Sequence, residues 1–575
     1  MATDTMTNQA ESTVPRGKLI VIFLGLILGI LMAALDQTIV ATALPNIATD
    51  LHGFEAISWI VTAYLLGQTI SMPVYGKLSD YLGRRNAFQL AIVIFLAGSV
   101  VAGLSQSMGM LIACRAVQGI GAGGLMIGAQ TIMAEIVSPR QRAKYMSVMG
   151  PMIGVATVLG PLLGGYLTDS VSWRWIFYIN VPIGAAALIV TALTLKLPKP
   201  QTKRKVDYLG AMLMSGAVVC LILALSWGGR RYDWTDPLIL GLIVGVLVLT
   251  PLWLWAETKA DEPILPLRLF RDDVFRIQAV IALLLGVAMF GAVSYLPTYL
   301  QLSLGASPTE SGLLMLPLMG GLMAAAVTTG QLMSRTGRYK VFPIMGASVA
   351  TVGMFLLSHL TAQSSQLTSG LFMAVLGLGI GFIMPTLVLT VQNSVPKRDM
   401  SSATAGVNFF RQIGASFGTA LIGSLFVSRL ADNLADSLPP SAAGQLGQSA
   451  TAMTPEKLAQ LPPDLADRFV EAYSDALMPL YLYLVPLLLL GVLLACFLKE
   501  KPLLNAMGRG GRSVPPAGSG GSTSGGDAGP GEAGPDGSGS DGPGGSPEPG
   551  GAGDSGNGSG DAGDRKKTAP VHVRS

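Results

Sequence analysis

Asp36 and Arg115 stand where charge is costly, the first inside an apolar run over 19–48 and the second inside another over 108–134. At about 1.5 Å per helical residue, Asp36 lies roughly 27 Å past Lys18, between the middle of a bilayer and its outer third. A carboxylate is expensive to keep charged there, and taking up and releasing a proton at such a site is what a proton-coupled carrier requires. Arg115 enters its run from the outer side and lies about 12 Å along it, a depth at which the two side chains can meet. The cation would hold Asp36 ionised until substrate or a conformational change parts the pair, so that proton and substrate stabilise opposite states. The plainer readings are an Asp36 in water near a helix end and an Arg115 that only satisfies backbone carbonyls.

Thr404, Asn408, Arg411, Gln412, Ala415, Ser416 and Thr419 form a polar or small stripe at helical spacing within 401–428. Such a stripe must face protein or a cavity. Arg411 has no evident acidic partner in its half of the sequence; it can bind substrate, pair across a cavity or satisfy carbonyls. Tyr64 and Gln68 share one face of the run over 56–75, and Tyr295 and Tyr299 flank Pro297. Their faces suit varied apolar ligands, and they suit core packing equally well. One buried acid against two buried arginines does not look built for dications, which leaves neutral, monocationic or anionic lipophiles.

The elements that must position these residues are membrane helices. The chain is 50% hydrophobic and 13% charged with a mean hydropathy of +0.53, whereas soluble domains are usually about 25% charged. Fourteen apolar runs between 19 and 498 are long enough to span a hydrocarbon core that takes about 20 residues to cross. Cations gather in every second loop (Lys77, Arg84, Arg85; Arg140, Arg142, Lys144; Arg335, Arg338, Lys340), so the positive-inside rule puts both termini in the cytoplasm of a multi-pass protein of the cell membrane. The polar leader 1–18 is followed by a run too long for a signal-peptide core, and the Gly/Ser/Pro-rich stretch 508–575 reads as a disordered cytoplasmic tail. The stretch 429–474 reads as a long outward loop, with short amphipathic patterns at Leu430, Leu434 and Leu438 and at Phe469 and Tyr473.

These features exclude several classes of function. The cations form no basic face with interleaved aromatics, so nucleic acid is not expected as a partner. Cys114, Cys220 and Cys496 all sit in apolar runs and the three histidines are scattered, so neither a disulfide framework nor a metal site is expected. Gly119–Gly124 and Gly377–Gly381 mimic phosphate-binding loops, but no strand precedes them and no lysine follows. Energy should therefore come from an ion gradient, with no cofactor and no enzymatic site. The Trp173, Trp175, Trp227 and Trp234 positions near span ends suggest an interfacial aromatic belt.

An internal repeat orders the spans. Gly76-Lys77-Leu78-Ser79-Asp80 leads through Gly83-Arg84-Arg85 to Asn86 after the second span, and Gly330 through Ser334 and Gly337-Arg338 to Lys340 follows the tenth. Two six-helix halves would repeat after six spans; a repeat after eight places two extra helices, 207–256, between halves over 19–196 and 277–498. Here the chain resembles fourteen-helix members of the major facilitator superfamily, in the drug:proton antiporter family of the EmrB/QacA type. Leu35-Asp36 through Ala43-Leu44-Pro45, Arg115 through Gln118-Gly119 and Gly121, Gly154 with Gly160-Pro161 and Gly164-Gly165, and Trp173-Arg174-Trp175 through Asn180 and Pro182 carry the likeness over roughly 19–500. The resemblance implies an all-α membrane protein that exports lipophilic small molecules in exchange for protons by alternating access. It also implies a gating role for Gly76, Asp80, Gly83, Arg84 and Arg85, where the acid can sit at a helix N-terminus of the other half; the plainer reading is a topogenic charge cluster. Gly154, Gly160, Pro161, Gly164 and Gly165 match its antiporter motif, which suggests a seal against leak beyond ordinary helix packing. Ser334 stands where the first repeat has Asp80, which leaves the second loop without that acid. A dedicated exporter of one metabolite would share all these motifs; an importer or uniporter would not need Gly160-Pro161, and a receptor would need a folded soluble domain. Partners across the envelope carry no signal in the sequence.

Overall fold

A computed structural model of the chain describes residues 15–149, 151–197, 207–229, 231–437, 458, 460–501 and 503. The leader up to residue 14, the tail 508–575 and Leu438 lie outside these. Runs of Leu, Ile, Val, Ala and Gly give helices throughout, and among the described residues the remainder is turns and one isolated bridge between Gly228 and Tyr232. Helix starts follow local chemistry. Ser107, Asp207, Asp236 and Ser365 each accept a backbone N–H of the first turn of the helix they precede, and Ser307 with Glu310 makes a reciprocal capping box.

Thirteen helices are long and apolar enough to cross a membrane, and Val341–Leu357 is a shorter apolar helix among them, so the described residues hold fourteen crossings. In chain order the first six are α1 (Gly17–Asp50), α2 (Phe54–Leu82), α3 (Arg84–Gly103), α4 (Met108–Ile136), α5 (Pro139–Ser170) and α6 (Trp175–Thr194). Then come α7 (Tyr208–Trp227) and α8 (Pro237–Lys259). The last six are α9 (Asp273–Ser303), α10 (Glu310–Thr336), α11 (Val341–Leu357), α12 (Gln366–Ser394), α13 (Lys397–Asp436) and α14 (Pro463–Cys496).

The repeat is visible in the packing. α2 lies along α4, α1 along α5, and α3 between α4 and α6; likewise α10 lies along α12, α9 along α13, and α11 between α12 and α14. The glycine runs that mimic phosphate loops occupy equivalent places. Gly119 lets α4 press on the Tyr64 carbonyl of α2, and Gly377 lets α12 press on the Leu318 carbonyl of α10. α7 and α8 pack on each other, and α7 also lies against both α2 and α13, over the seam between the halves.

Two expectations need correction. The segment 429–474 is no simple loop: α13 continues to Asp436 and α14 begins at Pro463. Leu430 and Leu434 are one helical turn apart, as are Phe469 and Tyr473; all four are buried, and Phe426 meets Tyr473 with ring centroids 4.9 Å apart. Trp173 does not join a surface belt, since it is buried and its indole donates to Asp50 at 3.0 Å. Trp175 and Trp234 are exposed.

Candidate functional site

Asp36 and Arg115 meet. They form an ion pair of 2.5 Å between α1 and α4, and both are essentially without solvent contact, at 0% and 1% exposure. A buried ion pair is tolerable only where its remaining lone pairs and protons are also satisfied. Here the second carboxylate oxygen accepts from Gln118 at 3.0 Å and from Asn180 of α6 at 2.9 Å. Both amides also donate to Ser99 of α3, at 2.7 and 3.0 Å. Arg115 donates further to Gln118 Oε1 and to the Ile60 carbonyl, and its guanidinium lies 4.3 Å over the Tyr64 ring, whose hydroxyl donates to the Ala33 carbonyl. Tyr64 thus supports the pair; it is fully buried within the first half and does not stand on the cavity wall expected for it.

The small residues of α5 fit it to α1 beside this network. A Cβ at Gly160 would overlap Thr38, and one at Gly164 would overlap Thr42 and come within 2.7 Å of the Ile39 carbonyl. The Thr38 hydroxyl donates to the Ala156 carbonyl at 2.8 Å, just before Pro161 interrupts the helical ladder. Gly154 faces Met319 of α10 in the other half, whereas Gly165 faces open space.

The two repeat loops lie at the end of the bundle that carries Arg84, Arg140 and Arg335, the basic end. Gly76 brings α2 against Ser401 and Ala405 of α13, and Gly330 brings α10 against Ala143 and Ser147 of α5. Asp80 accepts from the Ser401 hydroxyl at 3.0 Å, in the first turn of the long helix that starts at Met400. Where the second repeat has Ser334, Arg140 donates instead to the backbone carbonyls of Ser334, at 2.6 Å, and Arg335. Gly83 takes φ 85 between α2 and α3, a backbone that favours glycine. Arg84 pairs with Glu135 at 3.0 Å and Arg85 donates to the Ala192 carbonyl at 2.9 Å, both within the first half. Lys77 pairs with Glu262 in the segment after α8, and that segment's Arg268 pairs with Asp399 at 2.6 Å, which holds the Arg268 guanidinium above its ordinary range.

Above these loops a buried polar layer joins the halves. Asn408 donates to Gln130 at 2.8 Å, and Arg142 donates to Gln392 at 3.1 Å. Asn408, expected as a cavity residue, stands in this floor and lines a space of about 40 Å³ there together with Gln130 and Arg411. A cavity of about 390 Å³ opens toward the opposite end between the first turns of α2, the last turn of α7, and the Ser294 and Gln412–Ala420 regions of α9 and α13. A deeper one of about 110 Å³ shares Gln37, Phe290 and Gln412 with it and is also lined by Gln68, Met126 and Arg411. Tyr295 lines a neighbouring space of about 340 Å³ and donates to the Thr419 carbonyl at 2.9 Å. Tyr299 is fully buried, its hydroxyl on the Thr361 carbonyl, and packs the core of its own half.

The Major Facilitator Superfamily model matches residues 26–419. The chain belongs to the major facilitator superfamily. As a multi-pass membrane transporter it is 44% identical over 483 residues to an uncharacterized MFS-type transporter of Mycobacterium tuberculosis strain H37Rv, covering 84% of this chain and 70% of the relative. It is 38% identical over 467 residues to the multidrug transporter protein MdtP of Bacillus subtilis, covering 79% and 86%. The fold is also that of the proton:xylose symporter XylE, at a TM-score of 0.52 and 15% identity over 85% of this chain and 98% of that one.

Several members of the transporter's polar networks escape sequence reasoning. Ser99 is one small hydroxyl in an apolar run; Gln130 and Gln392 are isolated amides in glycine-rich and aliphatic runs. Their only signal is that an amide buried in a membrane must find a partner. Glu262 sits in a loop and Asp399 in the short turn that opens α13, both outside the apolar runs, and nothing in their spacing marks them.

Proposed function

We propose that this transporter is a proton-coupled antiporter that exports lipophilic small molecules across the cell membrane by alternating access. The observation that carries the proposal is the Asp36–Arg115 pair, closed by Gln118, Asn180 and Ser99. A structural ion pair at such depth is often no more stable than apolar packing, so its presence in this chain points to a role in changing charge state. Asp36 carries the proton, and Arg115 stands in for that proton when it has left. With the basic end cytoplasmic by the positive-inside rule, the contacts of Gly76, Asp80, Arg140 and Gln392 seal the inner side while the cavity opens outward. Gln37, Gln68, Phe290 and Gln412 offer that cavity apolar surface with a few amides, the composition of a site for varied lipophiles. The names of relatives, multidrug transporter in Bacillus subtilis and efflux pump in Aspergillus parasiticus, favour export over uptake.

Proton release from acidified everted vesicles on addition of a panel of lipophilic drugs tests this reading, with wild type compared to Asp36→Asn. Several drugs should discharge the gradient in wild type and none in the variant. Discharge by a single natural metabolite alone would mark a dedicated exporter, and an unresponsive gradient would remove proton coupling.

A further inference from the structure

We infer that Arg411 is an anion anchor, and that the preferred substrates are amphipathic molecules bearing one carboxylate or sulfonate. The inference rests on the export reading and names the substrate class for its cavity. Arg411 is only 5% exposed and lines both the 110 Å³ cavity and the smaller space beneath it. The other buried arginines are provided for: Arg115 has the Asp36 carboxylate, and Arg142 has the Ala134 carbonyl at 2.5 Å and Gln392. Arg411 has only the Met126 thioether, at 3.8 Å. A thioether is a weak acceptor, and a guanidinium has five donors to satisfy.

Among the described residues lining these spaces, Arg411 is the only Lys, Arg, Asp or Glu. Asp36 does not offset it, because that carboxylate is enclosed by three donors of the first half. Gln68 adds a second unsatisfied group on the same wall: it is 7% exposed and its Oε1 has no hydrogen-bond partner. Gln37 and Gln412 line the same space beside Ile30, Met126 and Phe290, so amides share the cavity wall with the guanidinium and apolar surface receives the body of a ligand. A cationic drug would have to enter against an uncompensated like charge; an anion supplies the missing acceptor and forms a bidentate pair.

Uptake of naphthalene-2-sulfonate, naphthalene-2-sulfonamide and 2-naphthyl-trimethylammonium into energised everted vesicles separates the classes. The membrane potential is clamped with valinomycin and potassium, and initial rates are compared below saturation. Wild type should favour the sulfonate over the sulfonamide by about tenfold or more, the equivalent of one charge-assisted hydrogen bond. Arg411→Gln should bring that ratio near unity and Arg411→Lys should keep part of it; a ratio does not depend on how much variant protein folds. A wild type that favours the neutral or cationic probe overturns the inference and leaves export standing. So does an Arg411→Gln that slows all three probes equally, which would make Arg411 a packing or gating residue, and so does export of other drugs with none of the three probes moved. If wild type moves no probe and no drug of the wider panel discharges the gradient, the export reading itself falls.

Discussion

At the scale of single residues, Asp36 accepts from Arg115, Gln118 and Asn180 on two further helices, so one carboxylate ties α1, α4 and α6 together. Hydrogen bonds between membrane helices average only about 0.6 kcal/mol, but one to a charged acceptor, with the partner left buried, is worth about 1.5–3 kcal/mol. The second magnitude should govern here, because Asn180 and its acceptor Asp36 are both fully buried. Asn180→Ala is therefore expected to lower stability by about 1.5 kcal/mol or more, seen as earlier thermal unfolding of the purified protein in detergent. The same change made at exposed Asn86, whose amide donates to the Leu82 carbonyl, should shift unfolding far less. The meeting of Asp36 with Arg115 is legible in the sequence because two opposite charges in apolar runs, at similar depths, have few other ways to be neutral. The amides that close the pair are not, since their positions in a helix give no direction until the helices are packed.

At the scale of elements, the repeat of Gly76 and Gly330 does the same work twice. Each glycine lies on the second helix of its half and lets that helix press on a helix of the other half, α2 on α13 and α10 on α5. A Cβ at Gly76 would stand 2.7 Å from that of Ala405 and 3.2 Å from the Ser401 carbonyl, and neither is the far end of a flexible side chain. Overpacking a tight contact costs roughly 1–3 kcal/mol. Gly76→Val should accordingly disfavour the arrangement sealed at the basic end. In a cysteine-free background, a Ser294→Cys probe on the exposed part of the cavity wall should then react with an impermeant maleimide more slowly, by up to about fivefold, since ~1 kcal/mol shifts an equilibrium constant by that factor. An unchanged rate would mean that the contact is slack. The spacing of the two loops is legible in the sequence, as are the fourteen crossings, because glycine pairs and apolar runs of spanning length are local patterns. How the second loop manages without the acid at Ser334 is not: Arg140 takes backbone carbonyls there, and a carbonyl has no sequence signature. The helical ends of 429–437 and 463–474 are half visible as leucine and aromatic pairs one turn apart, patterns too short to outweigh the polar stretch between them.

At the scale of the whole molecule, the two halves meet at the basic end and part toward the other, so transport by alternating access requires the basic-end contacts to break once per cycle. The polar layer of Gln130, Gln392 and Asn408 suits that demand. Apart from the bond Arg142 gives to Gln392, its contacts across the seam are between neutral amides that water can replace when the seal opens, whereas an apolar seal would expose bare hydrophobic surface. The inserted helices bear on the same motion. α7 contacts both α2 and α13, and the segment after α8 reaches Lys77 on one half and Asp399 on the other. The insert is thus tied to both moving bodies and must flex or release a contact when they rock. A reversible cross-link tests whether they rock at all. Ala143 of α5 and Met333 of α10 are both fully buried and lie in one apolar cluster that spans the halves. In a cysteine-free background, Ala143→Cys with Met333→Cys oxidised by copper phenanthroline should stop drug-driven proton release, and dithiothreitol should restore it. Each single cysteine should show neither effect. Full transport by the cross-linked protein would mean that the halves stay joined at this end throughout the cycle, and substrate would then have to leave the cavity by a path other than the parting of α5 and α10.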